Sequence, residues 1–289
     1  MALDGYTRTC GLIGNPVEHT LSPLIHNYLA QKTGQNLVYV PFHVDNGRLE
    51  AAVKGAFALN LLGLNVTVPY KSDVIPFLEE VDDLAGRIGA VNTLVRTENG
   101  FKGYNTDMPG LYRAMQSDKV KISGEKVLVL GAGGVARAVV MMLLSKGVRE
   151  VIILNRTVER AKTIADEVNS INDGNRVRVL ALDEYHKLPL EEKYLAVQAT
   201  SVGMFPKSEE VVIADPDFYR RIHTGYDLIF NPADTRFMQL VREGGGKAYN
   251  GLKMLLYQGI IAYELWTKRN VSDRLAERVY KEMLAKMGQ

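Results

Sequence analysis

The stretch Lys126-Val127-Leu128-Val129-Leu130-Gly131-Ala132-Gly133-Gly134-Val135-Ala136 decides the fold of this chain. Residues 126–130 read as a compact apolar strand, and a helical pattern runs on to about residue 146. Between them, Gly131, Gly133 and Ala136 match G-x-G-x-x-A. The first glycine permits the tight turn, and the second lets the backbone approach a pyrophosphate. The small third residue lets helix pack on strand. Free N–H groups at the helix N-terminus then face the phosphates. Gly131, Ala132, Gly133, Gly134, Val135 and Ala136 are therefore expected to bind a dinucleotide. The bland alternative is a glycine-rich turn in a fold without a cofactor.

Downstream, residues 150–154 form another apolar strand, followed by a helix over about 158–169. Residues 177–180, 195–199 and 227–230 are short candidate strands. Such alternation implies a parallel sheet with helices on both faces. The strand at 150–154 leads into Asn155-Arg156-Thr157. An NAD site would place a carboxylate there for the ribose 2′-hydroxyl. Asn155 removes that carboxylate. Arg156 can stack on adenine or pair with a 2′-phosphate, Thr157 can donate a hydrogen bond, and Arg160 follows one turn on. NADP is the expected cofactor, with Glu159 as a counter-signal. Thr157 is also a natural helix cap.

Upstream, the first part alternates strand and helix: strands at about 8–13, 37–44, 90–95 and 100–104, helices at about 22–32 and 48–57. Pro41 marks the second strand as an edge or a bulge. Asn65-Val66-Thr67-Val68-Pro69-Tyr70-Lys71 reads as a strand ended by Pro69. Asn65 and Thr67 then share one face, with Lys71 just beyond. That face suits a polyhydroxylated substrate and a proton transfer, or it is simply a wet edge with a surface lysine. In His19-Thr20-Leu21-Ser22-Pro23, Ser22 reads as the N-cap and Pro23 as the first helical residue. The Thr20 and Ser22 hydroxyls beside a free helix N-terminus also suit a carboxylate. Asp107, before Met108-Pro109, taken alone is another N-cap. Residues 252–287 are almost wholly helical by pattern.

The 289 residues suffice for two ordinary domains. A hydrophobic fraction of 46% and a charged fraction of 24% fit a soluble globular protein. A net charge of +2 gives no reason to expect nucleic acid or a membrane surface as partner. No apolar run reaches spanning length, and Met1-Ala2-Leu3-Asp4-Gly5 lacks the features of a signal peptide. Cys10 is the sole cysteine, so no intrachain disulfide is possible, and a reducing cytoplasm is expected. The five histidines show no metal-ligand spacing, and no metal is expected.

Taken together, these segments resemble the shikimate dehydrogenase family. The resemblance runs nearly end to end and in order. It covers residues 15–23 and 65–71, Ile88-Gly89-Ala90-Val91-Asn92-Thr93, Tyr104-Asn105-Thr106-Asp107, and residues 131–137 and 155–160. It continues through Ala199-Thr200-Ser201-Val202-Gly203-Met204 and Gly251-Leu252-Lys253-Met254 with Gln258. The resemblance implies an α/β substrate domain plus a Rossmann-type, doubly wound NADP domain. The C-terminal helices would return to the first domain. The limits would be 1–107 with 251–289, and 108–250. It implies reversible reduction of 3-dehydroshikimate to shikimate with NADPH, by a monomer or homodimer.

By the same resemblance, Lys71 and Asp107 form the catalytic pair, and which of them carries the proton stays open. Thr20 and Ser22 hold the substrate carboxylate, while Asn65, Thr67, Asn92, Asp107 and Gln258 hold ring hydroxyls. Thr200, Ser201, Gly203, Met204, Gly251 and Met254 join the cofactor set. Two positions depart from the family pattern. Phe230 stands where many members carry a tyrosine near the carboxylate, and Gln198 replaces an asparagine before Ala-Thr-Ser. The alternatives are a quinate/shikimate dehydrogenase with dual substrate or NAD use, and a non-catalytic NADP-binding regulator. A methylene-tetrahydrofolate dehydrogenase would not be expected to carry Thr20-Leu21-Ser22 or Asn105-Thr106-Asp107.

Overall fold

Strands of two kinds, continuous apolar runs and short polar-ended ones, sort into two six-stranded sheets. The computed structural model describes residues 3–171 and 176–288, so Met1 and Ala2 of the leader reading, and Gln289 of the expected domain limits, lie outside the described residues. Within them the chain forms two compact units, residues 3–111 with 255–288 and residues 112–254.

The first unit begins β1 (Arg8–Gly14), α1 (Ser22–Thr33), β2 (Leu37–His43), α2 (Leu49–Ala58) and β3 (Gly63–Val66). It continues β4 (Glu80–Val81), α3 (Asp83–Ile88), β5 (Thr93–Arg96), β6 (Phe101–Tyr104) and α4 (Asp107–Ser117). The sheet order is β2-β1-β3-β5-β6-β4. β2, β1 and β3 run parallel, while β5 is antiparallel to both β3 and β6. Pro41 lies on β2, the edge strand, where its missing N–H costs no ladder bond. Ile13, Val53, Leu64, Val66, Leu94 and Phe101 meet in the core on one side of this sheet.

The segment 65–71 differs from its reading as a strand ended by Pro69. β3 stops at Val66, and Asn65 is 4% exposed while Val68 is 65% exposed. The chain turns there, with Tyr70 N–H donating to Thr67 O at 2.9 Å. That turn returns Tyr70 to the core, where its hydroxyl donates to Val44 O at 2.7 Å. The polar residue is inside because its amide is fully engaged, and the apolar one is outside because it sits on the turn.

The second unit contains β7 (Lys126–Leu130), α5 (Gly134–Ser145), β8 (Glu150–Asn155), α6 (Val158–Ile171) and β9 (Val177–Ala181). It continues β10 (Tyr194–Gln198), α7 (Pro216–Tyr219), β11 (Ile222–Asp227), α8 (Arg236–Glu243) and β12 (Lys247–Tyr249). The order is β12-β11-β10-β7-β8-β9, with every pair parallel. The chain winds outward from β7 to β9, then crosses back to β10 and winds the other way. The switch point lies between β7 and β10, where α/β sheets open a crevice at the strand ends.

The strand expected at 227–230 lies upstream instead, at β11, and Asp227 ends it. Its Oδ1 accepts from Ile229 N–H at 3.0 Å, and its Oδ2 accepts from the Thr235 hydroxyl at 2.6 Å. These bonds turn the chain away from the sheet. Gly225 is needed within β11, since a Cβ there would stand 2.9 Å from Val241 Cγ2 and 3.0 Å from Phe237 Cε1.

Helices α9 (Leu252–Thr267) and α10 (Asp273–Lys286) complete the chain, and residues from 255 on belong to the first unit. Trp266 lies directly over Gly63, where any Cβ would collide with its ring, and its Nε1–H donates to Leu94 O at 2.8 Å. No helix among the described residues is long and apolar enough to cross a membrane.

Candidate functional site

In the first unit, Lys71 Nζ lies 2.7 Å from Asp107 Oδ2. The two side chains are 34% and 17% exposed, so the pair is sheltered but reachable from solvent. Lys71 follows the turn after β3, and its carbonyl accepts from Val91 N–H at 2.8 Å. Asp107 opens α4, where the helix dipole favours a carboxylate.

Asp107 does not cap that helix. Asn105 Oδ1 accepts from Asp107 N–H at 3.1 Å and from Met108 N–H at 3.3 Å. Asn105 Nδ2 donates to Ala90 O at 3.0 Å. With the capping done by a neighbour, the Asp107 carboxylate is left for Lys71.

Beside this pair, Asn92 Oδ1 accepts from Thr106 N–H at 2.7 Å, from the Thr106 hydroxyl at 3.1 Å and from the Thr93 hydroxyl at 3.2 Å. Its acceptor is saturated, and no hydrogen bond from its Nδ2 is found among the described residues. Asn92 is therefore turned so that it presents N–H donors. Asn65 is more fully used. Its Oδ1 accepts from the Tyr39 hydroxyl at 2.8 Å, and its Nδ2 donates to Asn92 O at 3.2 Å and Thr93 Oγ1 at 3.0 Å. Thr67 is half-buried, with its N–H on Ile13 O at 3.0 Å. Gln258 Nε2 donates to Leu255 O at 2.8 Å, and its backbone lies so close to Gly110 that a Cβ there would stand 2.7 Å from Gln258 N.

At the start of α1 the cap is Leu21, not Ser22, and no side chain caps it. Thr20 Oγ1 accepts from Ser22 N–H at 3.2 Å and donates to Ser22 Oγ at 3.1 Å. Thr20 thus satisfies the N–H of Ser22 and draws Ser22 into the helix. The two hydroxyls are held together, as a carboxylate-binding pair requires. Phe230 belongs to the second unit, half-buried in the segment after β11.

The second unit has a cavity of about 550 Å³ at the switch point. Its wall brings together Gly131, Ala132, Gly133, Asn155, Arg156, Arg160, Thr200 and Ser201 from the expected cofactor set. Gly131 sits at φ +111, where side chains are strained, and a Cβ would stand 2.6 Å from Thr200 Cγ2. At Gly133 and Gly134, by contrast, nothing lies within 4 Å of a Cβ position, which leaves room for a ligand against the backbone. Arg156 and Arg160 are exposed, and neither pairs with a carboxylate among the described residues. Two free guanidinium groups and the N-terminus of α5 suit a phosphorylated dinucleotide.

Gly134, Val135, Ala136, Thr157, Gly203, Met204, Gly251 and Met254 do not line this cavity. Ala136 is fully buried in α5, as the helix–strand packing requires. Gly251 is pressed on Leu228, whose carbonyl oxygen would lie 2.2 Å from a Cβ. Leu182, Val211 and Val212 line the cavity and were not expected. They are ordinary apolar residues, Leu182 from the helical turn just after β9 and the two valines from a loop, and nothing in their local sequence marks them.

Residues 12–94 match the family profile described as shikimate dehydrogenase substrate binding domain. Residues 113–211 match the one described as shikimate / quinate 5-dehydrogenase. The shikimate dehydrogenase (NADP(+)) of Carboxydothermus hydrogenoformans is 41% identical over 267 residues, 92% of this chain and 94% of that protein. The structure of shikimate 5-dehydrogenase from Listeria monocytogenes in complex with shikimate and NAD is 32% identical, with a TM-score of 0.89 and 98% of each chain covered. That of the Thermus thermophilus enzyme in complex with NADP(H) and shikimate is 30% identical, with a TM-score of 0.83, covering 95% of this chain and 99% of the other. With the paired Lys71 and Asp107 in one unit and a glycine-lined switch-point cavity in the other, this chain belongs to the shikimate dehydrogenase family.

Proposed function

We propose that this chain catalyses the reversible NADPH-dependent reduction of 3-dehydroshikimate to shikimate, a step of aromatic amino acid biosynthesis. The observation that carries the reading is the Lys71–Asp107 pair at 2.7 Å, in the same unit as Thr20, Ser22 and Asn92. The bound cofactor supplies a hydride to the substrate carbonyl. Negative charge then grows on that oxygen, and Lys71 donates a proton to it. Asp107 orients the ammonium group and stabilises its charge. Thr20 and Ser22 hold the carboxylate. Asn92 gives N–H donors to a ring hydroxyl, Thr67, Gln258 and Asp107 complete the polar lining, and Asn65 supports it from behind through its bonds to Asn92 and Thr93. Phe230 keeps a ring without a hydroxyl.

In the second unit, Gly131 to Gly134 take the pyrophosphate, and Arg156 and Arg160 take the 2′-phosphate. The lone buried thiol of Cys10 is compatible with a cytoplasmic setting.

A four-way assay tests this, with shikimate and quinate each offered NAD and NADP. Turnover greatest with shikimate and NADP is expected. A preference for quinate and NAD would assign the chain to the quinate side of the family. Lys71→Ala and Lys71→Met should both lower kcat by orders of magnitude while KM changes little. A lysine variant with near wild-type kcat would remove Lys71 from the proton step.

A further inference from the structure

We infer that Gln198 is a positioning residue for the cofactor, acting through Thr200, and that Ser201 rather than Thr200 presents the free hydroxyl of this loop. The inference rests on the cofactor reading of the switch-point cavity. Gln198 ends β10, is fully buried and lies outside the cavity wall. Its Oε1 accepts from Thr200 N–H and from the Thr200 hydroxyl, both at 2.7 Å. Its Nε2 donates to Val202 O at 3.0 Å and, more weakly, to Thr200 O at 3.4 Å. One amide therefore grips the loop at both ends.

The consequence for Thr200 follows from its rotamer. Its hydroxyl donates to Gln198 and accepts from Val202 N–H at 3.1 Å. A hydroxyl has a single proton, so Thr200 keeps no donor for a ligand. With the hydroxyl turned to Gln198, the methyl is turned to Gly131, where a Cβ would meet Thr200 Cγ2 at 2.6 Å. Thr200 is then a spacer between the loop after β10 and the phosphate turn after β7. The adjoining backbone bond, Ala199 N–H to Leu130 O at 2.9 Å, fixes the same two strand ends. Ser201, next in the chain, is exposed and lines the cavity, and no hydrogen bond from its hydroxyl is found among the described residues.

The test is a mutant cycle on the full chain. Gln198→Leu, Thr200→Val and the double variant are compared with wild type. NADPH affinity is followed by fluorescence titration, shikimate KM by turnover, and folding by thermal melting. Each single change should weaken NADPH binding by roughly tenfold, the equivalent of one to two hydrogen bonds. The double variant should be no weaker than either single, because both break one unit. Shikimate KM should stay within about twofold, since only cofactor positioning is lost. Thr200→Ser, which keeps the hydroxyl, should bind NADPH more tightly than Thr200→Val.

Folded single variants with wild-type NADPH affinity would overturn the inference. So would effects that multiply in the double variant, or a serine variant as weak as the valine one. Wild-type protein that binds NADPH but does not turn over shikimate would sink the reaction proposed above and leave this cycle readable. Absence of NADPH binding by wild type would sink both.

Discussion

His26 shows what one residue does to the pH behaviour of the first unit. Its ring is fully buried, stacked on Tyr39 at 4.2 Å and tilted against Trp266 at 5.0 Å. Neither ring nitrogen has a hydrogen-bond partner among the described residues. Burial pushes its pKa from 6.5 down to about 3, outweighing the opposing influence of the nearby Asn65 amide. The folded chain thus holds His26 neutral while the unfolded chain takes a proton, so stability falls as pH drops from about 6.5 towards 3. His26→Phe keeps the aromatic stack and removes both the unpaired nitrogens and the proton. Urea melts should show the variant more stable than wild type, with a larger margin at pH 5 than at pH 8. An unchanged margin would mean that His26 does not titrate this way. The same scale explains what the sequence hid. Lys71 and Asp107 each stand in a long motif, and the fold brings their side chains together. The setting of Asn92 was not legible, because it depends on Thr93 and Thr106 from two strand ends that meet only in the fold. Asn105 did leave a signal, an Asx residue two positions before a helix, but Asp107 carried the same cap signature.

Among elements, β11 and the turn after it set a second pH dependence. Asp227 is fully buried, and burial raises its pKa from 3.8 to about 7, against the bonds from Thr235 and Ile229. The folded state keeps its proton between these values while the unfolded state loses it. Stability from this group is therefore full below about 3.8 and is lost as pH rises through about 7. Asp227→Asn keeps an acceptor for Ile229 and a partner for Thr235 without a charge. It should flatten the loss between pH 4 and 7, so that it gains on wild type as pH rises. Thermal melts at pH 4.5 and 8 decide this, and a variant that loses ground at pH 8 would refute it. β11 also shows why some elements escaped the sequence. β7 and β8 are continuous apolar runs buried on both faces, and they read plainly. Ile222-His-Thr-Gly-Tyr-Asp is broken by polar residues and a glycine that exists only to admit Phe237 and Val241. The short strands β4 and β12 have two and three residues, too few for any period to show.

For the whole molecule, the two units differ in how the chain builds them. The second is one continuous run, residues 112–254, with its own core around Leu128, Ile152, Phe218, Tyr219 and Phe237. The first needs both ends of the chain. A chain truncated after Met254 would lose the ring of Trp266 over Gly63, the Trp266–Leu94 bond and the Tyr263 hydroxyl that meets Thr33 at 2.5 Å. Such a chain should lose shikimate turnover and be cut readily by protease within residues 1–111. It should still bind NADPH through residues 112–254. Protection of the N-terminal segment in the truncated chain would show that the final helices are dispensable for the first unit.

Trp266 is the only tryptophan in the sequence, 3% exposed and anchored to Leu94 O. The chain therefore carries a built-in optical probe: its indole emission, excited selectively, reports the folding of the discontinuous unit, while the continuous one, with tyrosines but no tryptophan, stays silent in that signal.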